Sequence, residues 1–269
     1  ENDPEFARQL ASLADVFVCD AFGTAHRAHA SVVGVAHHLP AVAGLLMERE
    51  LDYLEQITEP KRPFAIILGG AKIADKIGIL NNLARNADLI CVGGGIANTF
   101  LKAQGIDVGA SLVEDDRIDD AFEVMRIAAL RDDLRLIIPT DVVIADPSGE
   151  RVSTVSVHRV PPGFRILDIG RQTIEDMREA LQGMNTVVWN GPLGAFEIKP
   201  FDTGTVALAQ AVAAQTAAGK LLSVAGGGDT VAALAAAGVE DKFSYVSTAG
   251  GAFLEWMEGK ELPGVKALG

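Results

Sequence analysis

Cysteine is scarce. The 269-residue chain has two, Cys19 and Cys91, each in or beside an apolar run and neither at metal-ligand spacing. That excludes a disulfide framework and a cysteine metal centre, and it predicts buried free thiols in a reducing compartment. Positive charge is also in short supply. The 23 Lys and Arg are outnumbered by 36 Asp and Glu, for a formal net charge of −13. Such a balance argues against nucleic acid or an anionic membrane surface as a partner. No apolar run reaches membrane-spanning length and no signal-peptide pattern is present, so a cytoplasmic protein is expected. Two familiar nucleotide fingerprints are missing. GxGxxG would need a glycine at position 98 or 231, where Asn98 and Val231 stand, and GxxxxGK followed by Ser or Thr does not occur. The chain begins Glu1-Asn2-Asp3-Pro4, without Met, and is expected to start inside a larger gene product.

What is abundant is a strand-like apolar run that stops at glycines. Phe64–Leu68 ends at Gly69-Gly70, and Asp88–Val92 leads into Gly93-Gly94-Gly95. Thr186–Asn190 leads into Gly191-Pro192-Leu193-Gly194 and Leu221–Ala225 into Gly226-Gly227-Gly228-Asp229-Thr230; Phe243–Thr248 meets Ala249-Gly250-Gly251. Helical patterns separate these runs. Alternating strands and helices imply a parallel sheet with right-handed crossovers. All five glycine turns then fall at the carboxyl edge of that sheet, where open α/β sheets bind ligands.

After Gly69-Gly70 come Lys72 and Lys76, four apart in a helical pattern with Ile73, Ile77 and Leu80. The spacing predicts both lysines on one face of the first helical turns, beside exposed backbone amides that suit a polyanion. In so acidic a chain, two such cations stand out. The bland alternative is a tight turn followed by two solvated lysines.

Taken in order, Asp3-Pro4 predicts a helix start, with Phe6, Leu10 and Leu13 as its apolar face. Val16–Cys19 reads as a strand ending in a polar loop that holds His26, Arg27 and His29. A helix from Ala41 to about Ile57 is expected to connect a small N-terminal piece, residues 1–40, to the main α/β region, residues 60–269, with 41–59 as the bridge. Helices are predicted over Ile96–Ala103, Arg117–Leu130, from Thr173, and over Thr205–Ala218 and Thr230–Ala237. Leu136–Ile138, Val142–Ala145 and Arg165–Asp168 read as strands, and Val152–Val157 as an edge or hairpin arm after Pro147-Ser148-Gly149. The fold class is therefore α/β: an open parallel sheet with helices on both faces, Rossmann-like and three-layered, plus a remnant of a second α/β domain.

In Gly226–Thr230 the glycines free amides to face phosphate oxygens, and Asp229 reads as a helix N-cap, a hard-oxygen contact to Mg²⁺, or both. Val187-Val188-Trp189-Asn190-Gly191-Pro192-Leu193-Gly194-Ala195-Phe196-Glu197 is too specific for a mere turn, and Glu197 could meet ribose hydroxyls. Together ILGGAKIADKI, VWNGPLGAFE, GGGDT, DAFGTAHRAH and LPGVKALG resemble phosphoglycerate kinase over essentially the whole chain.

That family moves a phosphoryl group between 1,3-bisphosphoglycerate and ADP, giving 3-phosphoglycerate and ATP, across a cleft between two α/β domains. The resemblance implies that Lys72 contacts the transferring phosphate, forming the catalytic set with Gly227 and Gly228, while Lys76 holds the α-phosphate. Gly70, Ala71, Gly94 and Gly95 would line the adenosine pocket and Glu197 would bind ribose. Asp229 would meet the Mg²⁺ of MgADP or MgATP, Thr230 would lie on the phosphates, and Asn190 would face the transferring group. His26 and Arg27 would take phosphoglycerate. A monomer is expected. Two departures stand at the last turn, Ala249 in place of Gly and Phe253 in place of a small hydroxyl residue. The family's earlier N-terminal portion, with most substrate arginines, is not in this sequence. An isolated chain is accordingly expected to bind nucleotide but transfer phosphate poorly, with its first forty residues loose. The rival readings are another ATP-dependent kinase and a non-catalytic nucleotide-binding module.

Overall fold

Asp3 accepts a hydrogen bond from the Phe6 amide at 2.7 Å, so the Asp-Pro pair starts helix α1 (Pro4–Ala11) as the sequence predicts. Its buried face differs from the expected one. Ala7 and Ala11 pack inward, whereas Phe6 and Leu13 are exposed, because the short helix lies against residues 30–37 through its small side chains. The computed structural model describes residues 2–269.

Strand β1 (Phe17–Cys19) pairs in parallel with β2 (Ala41–Ala43). The helix expected from Ala41 therefore begins later, as α2 (Leu45–Thr58) after Gly44. The cause lies far off in sequence. Asp20 accepts from the Leu46 and Met47 amides at 2.7 and 2.9 Å, capping the helix from the end of the neighbouring strand and leaving residues 41–43 to extend.

The main unit follows: β3 (Phe64–Leu68), α3 (Ile77–Leu83), β4 (Leu89–Val92), α4 (Gly94–Ala103), α5 (Ile118–Ala129), β5 (Arg135–Ile137), β6 (Asp141–Ala145) and β7 (Val152–Ser156). Then come β8 (Arg165–Ile169), α6 (Arg171–Leu181), β9 (Thr186–Asn190), α7 (Thr203–Ala217), β10 (Leu222–Gly226) and α8 (Gly228–Ala236). The chain closes with β11 (Tyr245–Ser247), α9 (Gly251–Met257) and α10 (Pro263–Lys266).

Six strands make one sheet in the order β11-β10-β9-β3-β4-β5, and every pairing in it is parallel. Central strands are buried on both faces, which is why they read as unbroken apolar runs. Phe64, Ile66 and Leu68 join one core with Met47, Phe100 and Phe253. Ala65 and Ile67 join the other with Met177, Trp189 and Leu208. A second sheet, β7-β6-β8, is antiparallel and covers a small core of Leu101, Val108, Val142 and Ile144. The hairpin arm over Val152–Val157 was foreseen; its assembly with β6 and β8 into a separate sheet was not.

Helix α2 docks on the edge strand β11. Tyr53 and Tyr245 stack at 4.6 Å, and buried Glu50 accepts from the Ser247 hydroxyl at 3.0 Å, with burial raising the Glu50 pKa. The last helix, α10, returns to the first residues, where the Gly264 amide donates to the Ala25 carbonyl at 2.8 Å. Val18 remains 56% exposed and Val42 48%. Among the described residues no helix is long and apolar enough to cross a membrane.

Asp20→Ala removes the acceptor for two first-turn amides and is expected to lower unfolding free energy by about 1–2 kcal/mol, with Asp20→Asn losing less. Chemical denaturation checks this, and unchanged midpoints for both variants would refute the cap.

Candidate active site

Three glycine turns at the carboxyl edge of the large sheet are locked together through backbone alone. The Gly69 amide donates to the Asn190 carbonyl at 3.0 Å, Gly70 to Pro192 at 2.7 Å, and Gly94 to Leu193 at 2.8 Å. There is no room for a side chain. A methyl at Gly69 would lie 2.0 Å from the Pro192 oxygen, and one at Gly191 2.1 Å from the Gly69 oxygen, with Gly191 also at φ +95°. These glycines are therefore needed for loop-on-loop packing, whatever they contribute to a ligand.

Side chains tie in the fourth turn. Asn190 donates to the Gly226 carbonyl at 2.6 Å, and Thr230 Oγ1 accepts from the Gly191 amide at 2.7 Å. Both side chains are buried, at 1% and 2% exposure, so they brace the floor between β9 and β10. Helix α8 begins at Gly228, with Gly227 as the N-cap residue. Asp229 sits in the first turn, two positions past the N-cap residue, so the N-cap role expected from the sequence falls to Gly227. The exposed Asp229 carboxylate is free for another partner.

Between these turns and the small sheet lies a cavity of about 240 Å³. Gly70, Ala71, Gly94, Gly95, Glu197 and Asp229, all singled out from sequence, line it together. The inner wall is apolar: Val142, Ile166, Ile169 and Leu193. Sequence reasoning missed this wall, along with Asn98, Leu112 and Asp168. Leu112 is 55% exposed at the rim, an apolar side chain placed where a flat ring could cover it. Lys72, Lys76, Asn190, Gly227, Gly228 and Thr230 lie outside the lining, as do His26 and Arg27.

The lysine segment departs from expectation. Residues 70–76 form turns, and α3 starts only at Ile77, with Lys76 at its N-cap position. Glu114, on the strap before α5, accepts from the Ile73 amide and from the Ala74 amide, the latter at 3.2 Å. This long-range anchor holds the segment off the helical path, so Lys72 and Lys76 do not share a helix face. Lys72 is exposed and Lys76 half-buried. Burial lowers the Lys76 pKa, opposed by the carboxylates of Asp75, Asp229 and Glu258. Lys76 and Asp229 thus feel one another across the turns after β3 and β10.

The loop after β1 reaches the last glycine turn. His26 Nε2 accepts from Arg27 Nε at 3.3 Å, and a methyl added at Gly251 would stand 3.0 Å from that His26 nitrogen. Phe253, the large residue at this turn, points away from the surface. It is fully buried and fills the space beneath Gly226, where an added methyl would meet its ring at 2.5 Å.

Asp168 lies in the cavity wall at the end of β8. One oxygen accepts from the Gly204 amide at the start of α7 at 2.8 Å, the other from its neighbour Ile169 at 2.9 Å. Burial pushes the carboxyl up to about 7, against those two hydrogen bonds and with a smaller upward push from Asp202.

A family model described as phosphoglycerate kinase matches residues 1–260. The chain belongs to the phosphoglycerate kinase family. It is 54% identical to the phosphoglycerate kinases of Rhodospirillum centenum and Granulibacter bethesdensis, in each case over 100% of this chain and 68% of the relative. The phosphoglycerate kinase structure from Coxiella burnetii superposes with a TM-score of 0.94 at 45% identity, covering 99% of this chain and 68% of that one. That from Pyrococcus horikoshii gives 0.82 at 31%, covering 100% and 69%. Phosphoglycerate kinases are phosphotransferases, and the α/β fold agrees with them throughout.

The Asp168 carboxyl carries a pH signature. Unfolded, it titrates near 4; folded, at about 7. Between those values the folded chain retains a proton that the unfolded chain has lost, so this group's contribution to stability falls as pH rises through the window. Asp168→Asn should flatten that fall by up to about 4 kcal/mol. Thermal or denaturant melts of both proteins from pH 4 to 8 check it, and parallel profiles would contradict it.

Proposed function

We propose that this phosphoglycerate kinase chain binds MgADP or MgATP in the cavity between the glycine turns and works on phosphoglycerate presented from the His26–Arg27 loop. The observation that carries the reading is the convergence of glycine turns from parallel strands around one cavity, with Asp229 in its lining and Lys76 close enough to feel the Asp229 charge. The base would enter between Leu112 and the apolar inner wall. Glu197 would take ribose, and the phosphates would run toward Lys72, Lys76 and the Gly227–Gly228 backbone at the start of α8, where free amides favour negative charge. Asn190 and Thr230 would act by holding that turn in place.

Phosphoryl transfer needs positioning and charge neutralisation more than acid–base chemistry. Among the described residues no three His, Cys, Asp or Glu side chains are grouped to hold a metal. A lone exposed carboxylate such as Asp229 fits Mg²⁺ that arrives with the nucleotide, since that ion keeps phosphate and water oxygens and needs few protein ligands. When bound it would offset phosphate charge. A monomeric, cytoplasmic enzyme suits the charge and thiol pattern.

On the acceptor side Arg27 is the single arginine assigned, and an arginine on a transferring phosphoryl group can be worth about 10³ or more in rate. Slow turnover by this chain alone, with nucleotide binding intact, is the expected result of a coupled assay with 3-phosphoglycerate and MgATP. Equal turnover with unrelated acceptors would favour another kinase, and none under any condition a binding module.

Two substitutions probe the phosphate end. Lys76→Ala is expected to weaken MgADP binding by about 1–3 kcal/mol, the range for a charge-assisted contact; calorimetry with unchanged affinity would remove Lys76 from the site. Asp229→Asn should weaken binding of the Mg²⁺ complex far more than of metal-free nucleotide. Equal losses for the two ligand forms would exclude a metal contact.

A further inference from the structure

One peptide unit links the lysine segment to the strap before α5. Its N–H belongs to Ala74 and donates to Glu114 Oε2 at 3.2 Å. Its C=O belongs to Ile73 and accepts from the Lys76 amide at 2.8 Å and the Ile77 amide at 2.9 Å. The bond is trans, and a trans peptide is planar with N–H and C=O on opposite sides, so fixing one fixes the other. Glu114 and Lys76 thus face each other across a single rigid plane. The Ile73 amide donates to the same Glu114 oxygen, which holds the preceding peptide as well.

Little else orients this stretch. Among the described residues, no amide from 71 to 75 other than those two donates a hydrogen bond. The Ile73 side chain is fully buried, but an apolar contact has no direction and leaves the peptide free to turn. The anchor itself is held on two sides. The Glu114 amide donates to Thr99 Oγ1 at 3.3 Å and Asn98 Nδ2 to the Leu112 carbonyl at 3.1 Å, tying the strap to α4. Ser111 Oγ accepts from the Ile166 amide at 2.8 Å, tying it to β8. Glu114 is outside the cavity lining.

Resting on the nucleotide reading above, we propose that Glu114 is a positioning residue for phosphate binding: through the Ile73–Ala74 peptide it sets Lys76 toward the nucleotide phosphates without touching the nucleotide. The role requires an acceptor of the right reach and not a negative charge. Gln at 114 keeps an oxygen at the same distance along the side chain. Asp keeps the charge and draws the oxygen back by a methylene, away from both amides.

The test is calorimetry on the full chain with MgADP, comparing wild type, Glu114→Gln and Glu114→Asp, and then both changes placed on Lys76→Ala. Glu114→Gln should stay within about threefold of wild type, and Glu114→Asp should bind about tenfold more weakly. On Lys76→Ala, Glu114→Asp should cost less than about twofold, because the residue it acts through is gone. A merely structural role would cost the same in both backgrounds. Thermal melts check folding, and a tenfold loss in Glu114→Gln alone would overturn the proposal even if Glu114→Asp does not fold. Wild-type affinity in both variants, or Asp near wild type with Gln weak, would overturn it as well. So would an undiminished loss from Glu114→Asp on Lys76→Ala. Failure of wild type to bind MgADP would instead overturn the nucleotide reading beneath it.

Discussion

The backbone contact between Gly69 and the Gly191-Pro192 turn is the constraint on which the site depends. Neighbouring parallel strands, β3 and β9, end at the same edge of the sheet, and their turns meet with no side chain between them. A methyl at either position would stand 2.0 or 2.1 Å from a carbonyl oxygen, far inside van der Waals contact, with no flexible group to give way. The Gly94 turn then hangs on Leu193 and that of Gly227 on Asn190 and Thr230. The cavity exists because these turns are fused into one rigid rim.

Charge is added to this rim from segments that the rim does not control. Glu114 pins the backbone of residues 73–74, and so decides where Lys72 and Lys76 stand. Lys76 loses hydration and is compensated by carboxylates, Asp229 among them. With a net charge of −13, the protein has little long-range attraction for an anionic ligand. Local cations and free amides must supply what the overall field opposes.

Most of the sheet was legible because the period and the punctuation agree. Phe64–Leu68 and Thr186–Asn190 are apolar runs closed by glycine, and both strands fall on those bounds. Gly70, Ala71, Gly94, Gly95, Glu197 and Asp229 were found through strings of adjacent residues, and they meet at one cavity. What escaped depends on contacts distant in sequence. Asp20 caps a helix 26 residues away, turning Ala41–Ala43 into strand, and Glu114 reshapes a segment 41 residues before it. Asp168 and Asn98 carried no local signature either. Asp168 matters only because β8 sets it behind Gly204, and Asn98 only because its amide holds the Leu112 strap. Phe253 looked like an intrusion at a ligand turn, yet its ring belongs to the core.

The central claim is that the fused glycine rim is a nucleotide site. A crystal structure of this chain grown with MgADP tests it most directly. The account predicts the base between Leu112 and the Val142–Ile166 wall, ribose at Glu197, and phosphates over the Gly227–Gly228 turn within reach of Lys76. Nucleotide density elsewhere on the protein, with the cavity beside Gly70 and Gly94 holding only solvent, would contradict it.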